Sequence, residues 1–505
     1  MLSTLPLDSL TSAALGRASE LGVSHAEFRI EHIRSQTVVL RDGQLETAVD
    51  DTEVGMGLRV VHRGSVGFAA TAEMESSAAA ELADRAVALA VAALATLAVP
   101  ARLADEPPAG TAQWSSSYDI DPTDVTLADK VAHLATWSEQ LLGGTGIDHV
   151  SAHVVCVVED KFFADLGGSR LTQRRVRVHP VVEAFSVDPV SGAFESMRTL
   201  APPAGRGWEY LTASPGAAEP ARWDWASELE ALPALLAAKV RAPSVDPGTY
   251  DLVIEPSNLW LTIHESIGHA TELDRALGYE AAYAGTSFAT FDQLGSLRYG
   301  SDVMQVTGDR TTPHGLATVA WDDEGVEAQS FDLVRDGTLV GYQLDRRMAA
   351  ENGFGRSNGC AFADSPMHIP IQRMANVSLG PAPHGGPTTD ELVAGVDSGI
   401  LVAGDKSWSI DMQRHNFQFT GQRFFRIRHG RLEGQVKDVA YQSSTTDFWE
   451  SLEAVGNRST YVLGGAFNCG KGQPGQVAPV SHGCPSALFR RVRVLNARSE
   501  STGTS

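Results

Sequence analysis

Ile263-His264-Glu265-Ser266-Ile267-Gly268-His269 decides how the rest of the chain is read. It places a carboxylate beside the first of two imidazoles. Neutral imidazole nitrogens bind Zn²⁺, an open coordination position holds a water, and a glutamate can take that water's proton. The common zinc-hydrolase helix spaces its histidines at i and i+4, so that both leave one face. Here the second histidine stands at i+5. At about 100° per residue, positions i and i+5 lie roughly 140° apart on a regular helix. His264 and His269 can therefore share a metal only if the helix is distorted, and Gly268 is where a bulge or break costs least. A regular α-helix through Gly268 with diverging imidazoles would exclude the metal reading.

Outward from this stretch, Asp251-Leu252-Val253-Ile254 reads as a short buried strand. Glu255-Pro256-Ser257-Asn258 follows it, and Ser257 or Asn258 can cap the next helix. Leu259, Ile263 and Ile267 recur at i, i+4 and i+8 and form a core-facing stripe. Glu265 and His269 lie nearly opposite that stripe, with His264 at its flank.

The chain has 505 residues, which predicts two or three domains rather than one core. With 43% hydrophobic and 20% charged residues it has a globular composition. The formal net charge of −22, from 62 acidic and 40 basic residues, argues against broad contact with nucleic acid or anionic membrane. Met1 to Pro6 lacks the basic start and apolar run of a signal peptide. The apolar run Ala86 to Pro100 is too short for a comfortable bilayer span. Cys156, Cys360, Cys469 and Cys484 lack the spacing of a disulfide framework. A cytoplasmic protein is expected.

Four regions are expected: an N-terminal α+β domain (1–105), a linker and middle α+β region (106–222), a C-terminal domain carrying the histidine motif (223–498) and a disordered tail (499–505). The fold class is α+β and multi-domain, with a mainly antiparallel, β-rich catalytic domain carrying the motif helix. In the first region Leu7–Leu21 reads as a helix ended by Gly22. Ala26–Ile30 and Thr37–Leu40 read as two strands, and Asp42-Gly43 as a hairpin turn. Gly55–Val61 and Val66–Ala70 pair around Arg63-Gly64, and Met74 to Leu97 forms an Ala-rich helix. Prolines between residues 100 and 122 read as a connection. A helix from about Asp124 to Leu142 and strands at Val150–Asp160 and Arg174–Ser186 follow. A second boundary is expected between Pro202 and Pro220, then a helix from Trp223 to Val240 despite Pro233. Val334–Leu339 and Ile427–Leu432 look like hairpins.

A catalytic zinc usually takes three protein ligands. Glu272, Asp274 and Glu280 stand near the motif, though acidic residues on a helix are commonly just solvated. Cys469, in a glycine-rich loop, offers a thiolate, and the plain alternative is a small buried hydrophobe. His482 and Cys484 are further competitors. Asp322-Asp323-Glu324 reads as an acidic turn before a strand in preference to a cation site, and Arg373 and Asn376 as packing, turn or binding residues.

Several blocks, in order along nearly the whole chain, resemble the TldD/PmbA family, and in particular its TldD-type subunit. They are Ala26–Arg29, Val54–Val60 and Gly67-Phe68-Ala69; His264–His269 with Glu272 and Asp274; Trp321–Gly325; Arg373–Asn376; and Cys469-Gly470-Lys471-Gly472-Gln473. The segment after Cys484 is less like the family's usual glycine-rich ending. The resemblance implies His264, His269 and Cys469 as ligands of one Zn²⁺ per chain, with Glu265 as the catalytic glutamate. It also implies a zinc-dependent peptidase acting on unfolded or flexible peptides, with residues 223–498 as its metallopeptidase domain, and a TldE/PmbA-type paralogous subunit, or a second copy, as partner. A thiolate and two imidazoles suit zinc better than magnesium or calcium. The alternatives are a catalytically silent binding or regulatory subunit and a zinc-dependent amidase or esterase on a non-peptide substrate. A role in modulating DNA gyrase finds no support through direct DNA binding in so acidic a chain.

Overall fold

The computed structural model describes residues 2–188, 192, 194–212, 223–382, 385–472 and 475–498. The tail expected from 499, Gln473 of the Cys469 block and residues 213–220 of the boundary expected between Pro202 and Pro220 lie outside them.

A helix α1 (Leu7–Glu20) leads into β1 (His25–Arg41), β2 (Gln44–His62) and β3 (Ser65–Thr71), and then α2 (Ser76–Ala93). The two short runs expected at 26–30 and 37–40 are one continuous strand. Its polar middle stays extended because it pairs on both sides, and Arg34 and Gln36 both donate to Asp50 of β2. Asp42 and Gly43 close the hairpin at φ 49° and 76°, the left-handed pair of a type I′ turn. The Ala-rich α2 packs tightly on the sheet: a Cβ added at Gly67 of β3 would fall 1.9 Å from the Ala86 carbonyl oxygen.

Beyond the proline-bearing connection come β4 (Thr111–Ser115), α3 (Leu127–Leu142), β5 (His149–Asp165), β6 (Arg170–Val187) and β7 (Phe194–Arg198). The order β3-β2-β1-β5-β6-β4, with β7 also on β6, makes a single seven-stranded sheet. The boundary expected near residue 105 therefore runs through one sheet, because β1 pairs with β5 along its length. The connection at 100–122 itself contributes β4, parallel to β6. The helix Trp225–Arg241, expected to open the C-terminal domain, buries Trp225, Leu229, Leu232 and Leu236 in one core with α3, β5 and β6.

The C-terminal part begins with β8 (Gly248–Ile254). Strands Ser398–Ile410, β8, Ala487–Asn496, Val439–Ser444 and Asn416–Arg428 lie side by side in that order. The last also pairs with the first, so the sheet closes on itself. Its pairing is antiparallel apart from β8 with Ser398–Ile410. Leu259, Ile263 and Ile267 bury in the same core as Phe417, Phe419, Tyr441 and Phe448, as their helical spacing predicts. The fold is α+β and strand-rich towards the C-terminus. No helix among the described residues is long and apolar enough to cross a membrane.

The two parts meet through buried charge. Period-two alternation sends Phe28, Ile30, Val38 and Leu40 of β1 to the apolar cores. Glu27, Arg29 and Glu31 face the other way, and all are buried. Arg59 bridges Glu27 and Glu324 at 2.6 Å each, and Lys161 reaches Asp323 at 2.7 Å. Asp322-Asp323-Glu324 forms the expected turn, closed by the Gly325 N–H on the Asp322 carbonyl, and that turn is buried between the two parts. Asp322 accepts hydrogen bonds from the backbone of Glu324, Val326 and Ala361. Burial alone would raise the Glu27 carboxyl, but Arg59, His25 and Arg346 outweigh it and hold it well below the usual range.

Candidate metal centre

The motif helix starts at Pro256, whose fixed φ suits the first helical position and whose missing N–H would be unpaired there in any case. Ser257 and Asn258 therefore lie inside the helix and do not cap it. Ser257 accepts from the Gly404 N–H, and Asn258 donates to the Gly404 and Thr420 carbonyls. They tie the helix to the closed sheet.

Regular α-helix ends at Ile263. His264–Gly268 forms a π-helical turn and His269–Thr271 a 3₁₀ turn. The His269 N–H donates to the His264 carbonyl, an i→i+5 bond that brings residue i+5 back beside residue i. The two imidazole centroids stand 4.7 Å apart. Gly268 has ordinary helical dihedrals, φ −52° and ψ −59°, so the turn does not use its conformational freedom. It uses the missing side chain: a Cβ there would fall 2.5 Å from Met374 Sδ, and Met374 is itself buried. Gly268→Ala is expected to cost about 1–3 kcal/mol of stability by overpacking, read from denaturant unfolding. A double-mutant cycle with Met374→Ala should be non-additive, and additivity would place the cost elsewhere.

Cys469 lies on a strand, Val462–Lys471, paired with Gln476–Cys484, rather than in a loop. Its Sγ is 3.5 Å from His269 Nε2. The ligand-capable atoms of His264, His269 and Cys469 all lie within 4.8 Å of one another. Burial opposes ionisation of the Cys469 thiol, but His269 and Arg373 outweigh it and hold it below the ordinary value. Burial likewise pushes both motif histidines down, towards the neutral imidazole a metal requires.

The nearby carboxylates have other partners. Glu272 accepts from His269 Nδ1 at 2.8 Å and pairs with Arg275 and Lys471 at 3.2 Å each. Arg275 also stands 3.4 Å from His269 Nδ1, but the shorter carboxylate contact wins and places the proton on Nδ1. That leaves the Nε2 lone pair towards Cys469. Asp274 holds Lys471 at 2.8 Å, and Glu280 accepts from the Gly472 N–H at 3.3 Å. Cys484 Sγ lies 3.9 Å from the Pro256 carbonyl, in the core. His482 sits behind His264, its Nε2 2.7 Å from His264 Nδ1. Arg373 donates to the Cys469 and Gln476 carbonyls. Asn376 accepts from the Ala317 and Ser481 N–H groups. Both serve the scaffold.

Two functional neighbours carry no sequence signal. Arg414 donates from Nη1 to Glu265 Oε2 at 2.5 Å and from Nη2 to the Ala284 carbonyl at 3.3 Å. It sits in a turn organised by Asp411, at φ 62°, about 150 residues from the motif. Met374, which needs the space at Gly268, lies within the Arg373–Asn376 block but has no chemistry of its own to mark it.

The donor set suits a metal such as zinc: a thiol biased towards thiolate, one imidazole oriented by a carboxylate, a second beside it, and a buried glutamate. Residues 247–496 match the PmbA/TldA metallopeptidase C-terminal domain, and residues 26–90 match PmbA/TldA metallopeptidase domain 1. A metalloprotease of Methanothermobacter thermautotrophicus is 26% identical over 476 residues, 94% of this chain and 95% of that protein. A zinc metalloprotease TldD homolog of Saccharolobus solfataricus is 24% identical over 252 residues, 49% of this chain and 52% of that protein. The crystal structure of TldE from Thermococcus kodakarensis aligns over 96% of this chain and 99% of that one, with a TM-score of 0.67 at 15% identity, a likeness of fold. On these matches the chain belongs to the TldD/PmbA family of metallopeptidases.

Proposed function

We propose that this chain is a zinc-dependent peptidase acting on unfolded or flexible peptides. The observation that carries the reading is the convergence of His264, His269 and Cys469 within 4.8 Å, beside the buried Glu265. In this reading His264 Nε2, His269 Nε2 and Cys469 Sγ hold one Zn²⁺. When bound, the ion would supply a Lewis acid to polarise the scissile carbonyl and acidify water. Glu265 would be the chain's own proton carrier, taking a proton from the attacking water and giving it to the leaving amide nitrogen. Arg414 fixes the Glu265 carboxylate through one oxygen and leaves the other for proton transfer.

The strand bearing Cys469 belongs to a two-stranded sheet, and no strand among the described residues pairs with its outer edge. An extended peptide can add a strand to such an edge, whereas a folded domain cannot. This favours selection for unfolded chains over a deep side-chain pocket. We place the metallopeptidase domain from β8 to residue 498, with the helix Trp225–Arg241, expected from sequence to open it, packed on the preceding sheet instead. We also propose that the enzyme works in the cytoplasm beside a TldE-type subunit or a second copy of itself.

The test is a substrate panel: a denatured protein, the same protein folded and rigid, a small amide and a small ester. The expected result is cleavage of the denatured chain alone, abolished by a chelator and restored by zinc. Turnover of the amide or ester without peptide cleavage would replace the reading with a non-peptide hydrolase. Metal retention without any cleavage, with the partner present, would make the chain a silent subunit.

A further inference from the structure

His482 is a fully buried imidazole on the strand Gln476–Cys484, and the mechanism above does not use it. Hydrogen bonds fix its flanking backbone and both of its ring nitrogens. The Ser481 N–H donates to Asn376 Oδ1 at 3.2 Å and the Gly483 N–H to Ser378 Oγ at 3.0 Å. The backbone on both sides of His482 is thus pinned to the strand Asn376–Leu379. Its Nδ1 lies 2.9 Å from the Val377 carbonyl of that strand, and its Nε2 lies 2.7 Å from His264 Nδ1. Trp260 stacks along the ring at 6.3 Å with 11° between planes, and the space left by Gly268 faces its Cε1.

A carbonyl oxygen can only accept, so His482 carries its proton on Nδ1. None of these ring contacts is anionic, so nothing there compensates a second proton, and His482 Nε2 presents a lone pair. The only complement at 2.7 Å is a proton on His264 Nδ1. The lone pair of His264 is then left on Nε2, the nitrogen outside this contact. The backbone of Val377 therefore dictates, through two imidazoles, which nitrogen of His264 is free. Glu272 does the same for His269 with a carboxylate.

We propose that His482 is a positioning residue that sets the tautomer and ring orientation of His264 for metal binding. The inference rests on the metal-centre reading above. It gives His482 a role outside the ligand set. An acceptor behind a metal-bound imidazole typically changes affinity by about 10- to 100-fold.

The test measures zinc dissociation constants by competition with a chromogenic chelator for the wild type, His482→Leu and His482→Gln, without recourse to activity. His482→Leu removes the acceptor and is expected to weaken zinc binding about 10- to 100-fold. His482→Gln can accept from His264 through its amide oxygen while its NH₂ donates to Val377, and is expected to recover most of that loss. Zinc bound by the wild type and equally well by His482→Leu would overturn the inference alone. Equal loss in both variants would also overturn it, since the acceptor would not be what matters. No zinc in the wild type would overturn the metal-centre reading and this inference with it.

A measurement on the unmutated protein guards against variants that do not fold. Imidazole ¹⁵N shifts of the zinc-loaded wild type should show His482 protonated on Nδ1 and unmetallated. The opposite tautomer, or a metal-bound third imidazole, would overturn the assignment.

Discussion

Zinc-loaded Glu265→Gln is expected to lose about 10²- to 10⁴-fold in peptide turnover, the span a positioned general base supplies. The substitution is nearly isosteric. Glutamine keeps an oxygen to accept from Arg414 Nη1, so the contact now 2.5 Å long can persist and the π-helical turn need not repack. What disappears is a group able to take a proton. Zinc content and unfolding midpoint should therefore match the wild type while turnover collapses. Unchanged turnover in a metal-loaded variant would remove Glu265 from the mechanism. Equal loss of zinc and of activity would make it a contributor to the centre rather than to the chemistry.

Cys469→Ala should show the second large effect, read as zinc per chain by elemental analysis beside the wild type. The wild type is expected to retain one equivalent and the variant only a small fraction. The change removes one small buried side chain, so its cost in folding is about 1 kcal/mol. Loss of zinc from a folded variant would tie the cysteine to histidines 200 residues away. Zinc retained in both would require a different third ligand. The packing makes that substitution hard: Glu272 already holds His269, Arg275 and Lys471, and Asp274 holds Lys471. Recruiting either would break a buried ion pair, which typically costs about 3–5 kcal/mol. No zinc in a folded wild type, even with zinc supplied, would move the silent-subunit reading to the front.

Much of this was legible because local pattern and tertiary packing agree. Leu259, Ile263 and Ile267 have helical spacing and are all buried in one core. The hairpins at Asp42-Gly43, Asp336-Gly337 and His429-Gly430 carry the positive φ pair their sequences suggest. The i+5 spacing of His264 and His269 by itself requires a distorted helix if the two are to share a metal, and the π-helical turn supplies it. Other features depend on partners far along the chain. Glu27, Arg29 and Glu31 alternate like a solvent-facing edge, and it takes partners such as Arg59, Lys161 and Arg346 to show that the face is covered. Glycines around Cys469 suggested a loop, whereas the segment pairs as a strand whose glycines admit close neighbours such as Trp260 at Gly464 and Tyr283 at Gly472. Arg414 is one arginine among many until the fold sets it against Glu265.

The π-helical turn also resets helical phase. Up to Ile263 each residue takes its direction from the α-helix begun at Pro256, while from His269 onward the count starts again one residue late. Glu272 and Arg275 are therefore in step with His269 and out of step with His264. The extra residue that seemed to separate the histidines lets two differently phased segments serve one centre. One is anchored to the closed sheet through Ser257 and Asn258. The other is anchored to the buried Lys471 through Glu272 and Asp274. The two imidazoles can thus be braced from opposite sides, an arrangement a single uninterrupted helix would have to support from one.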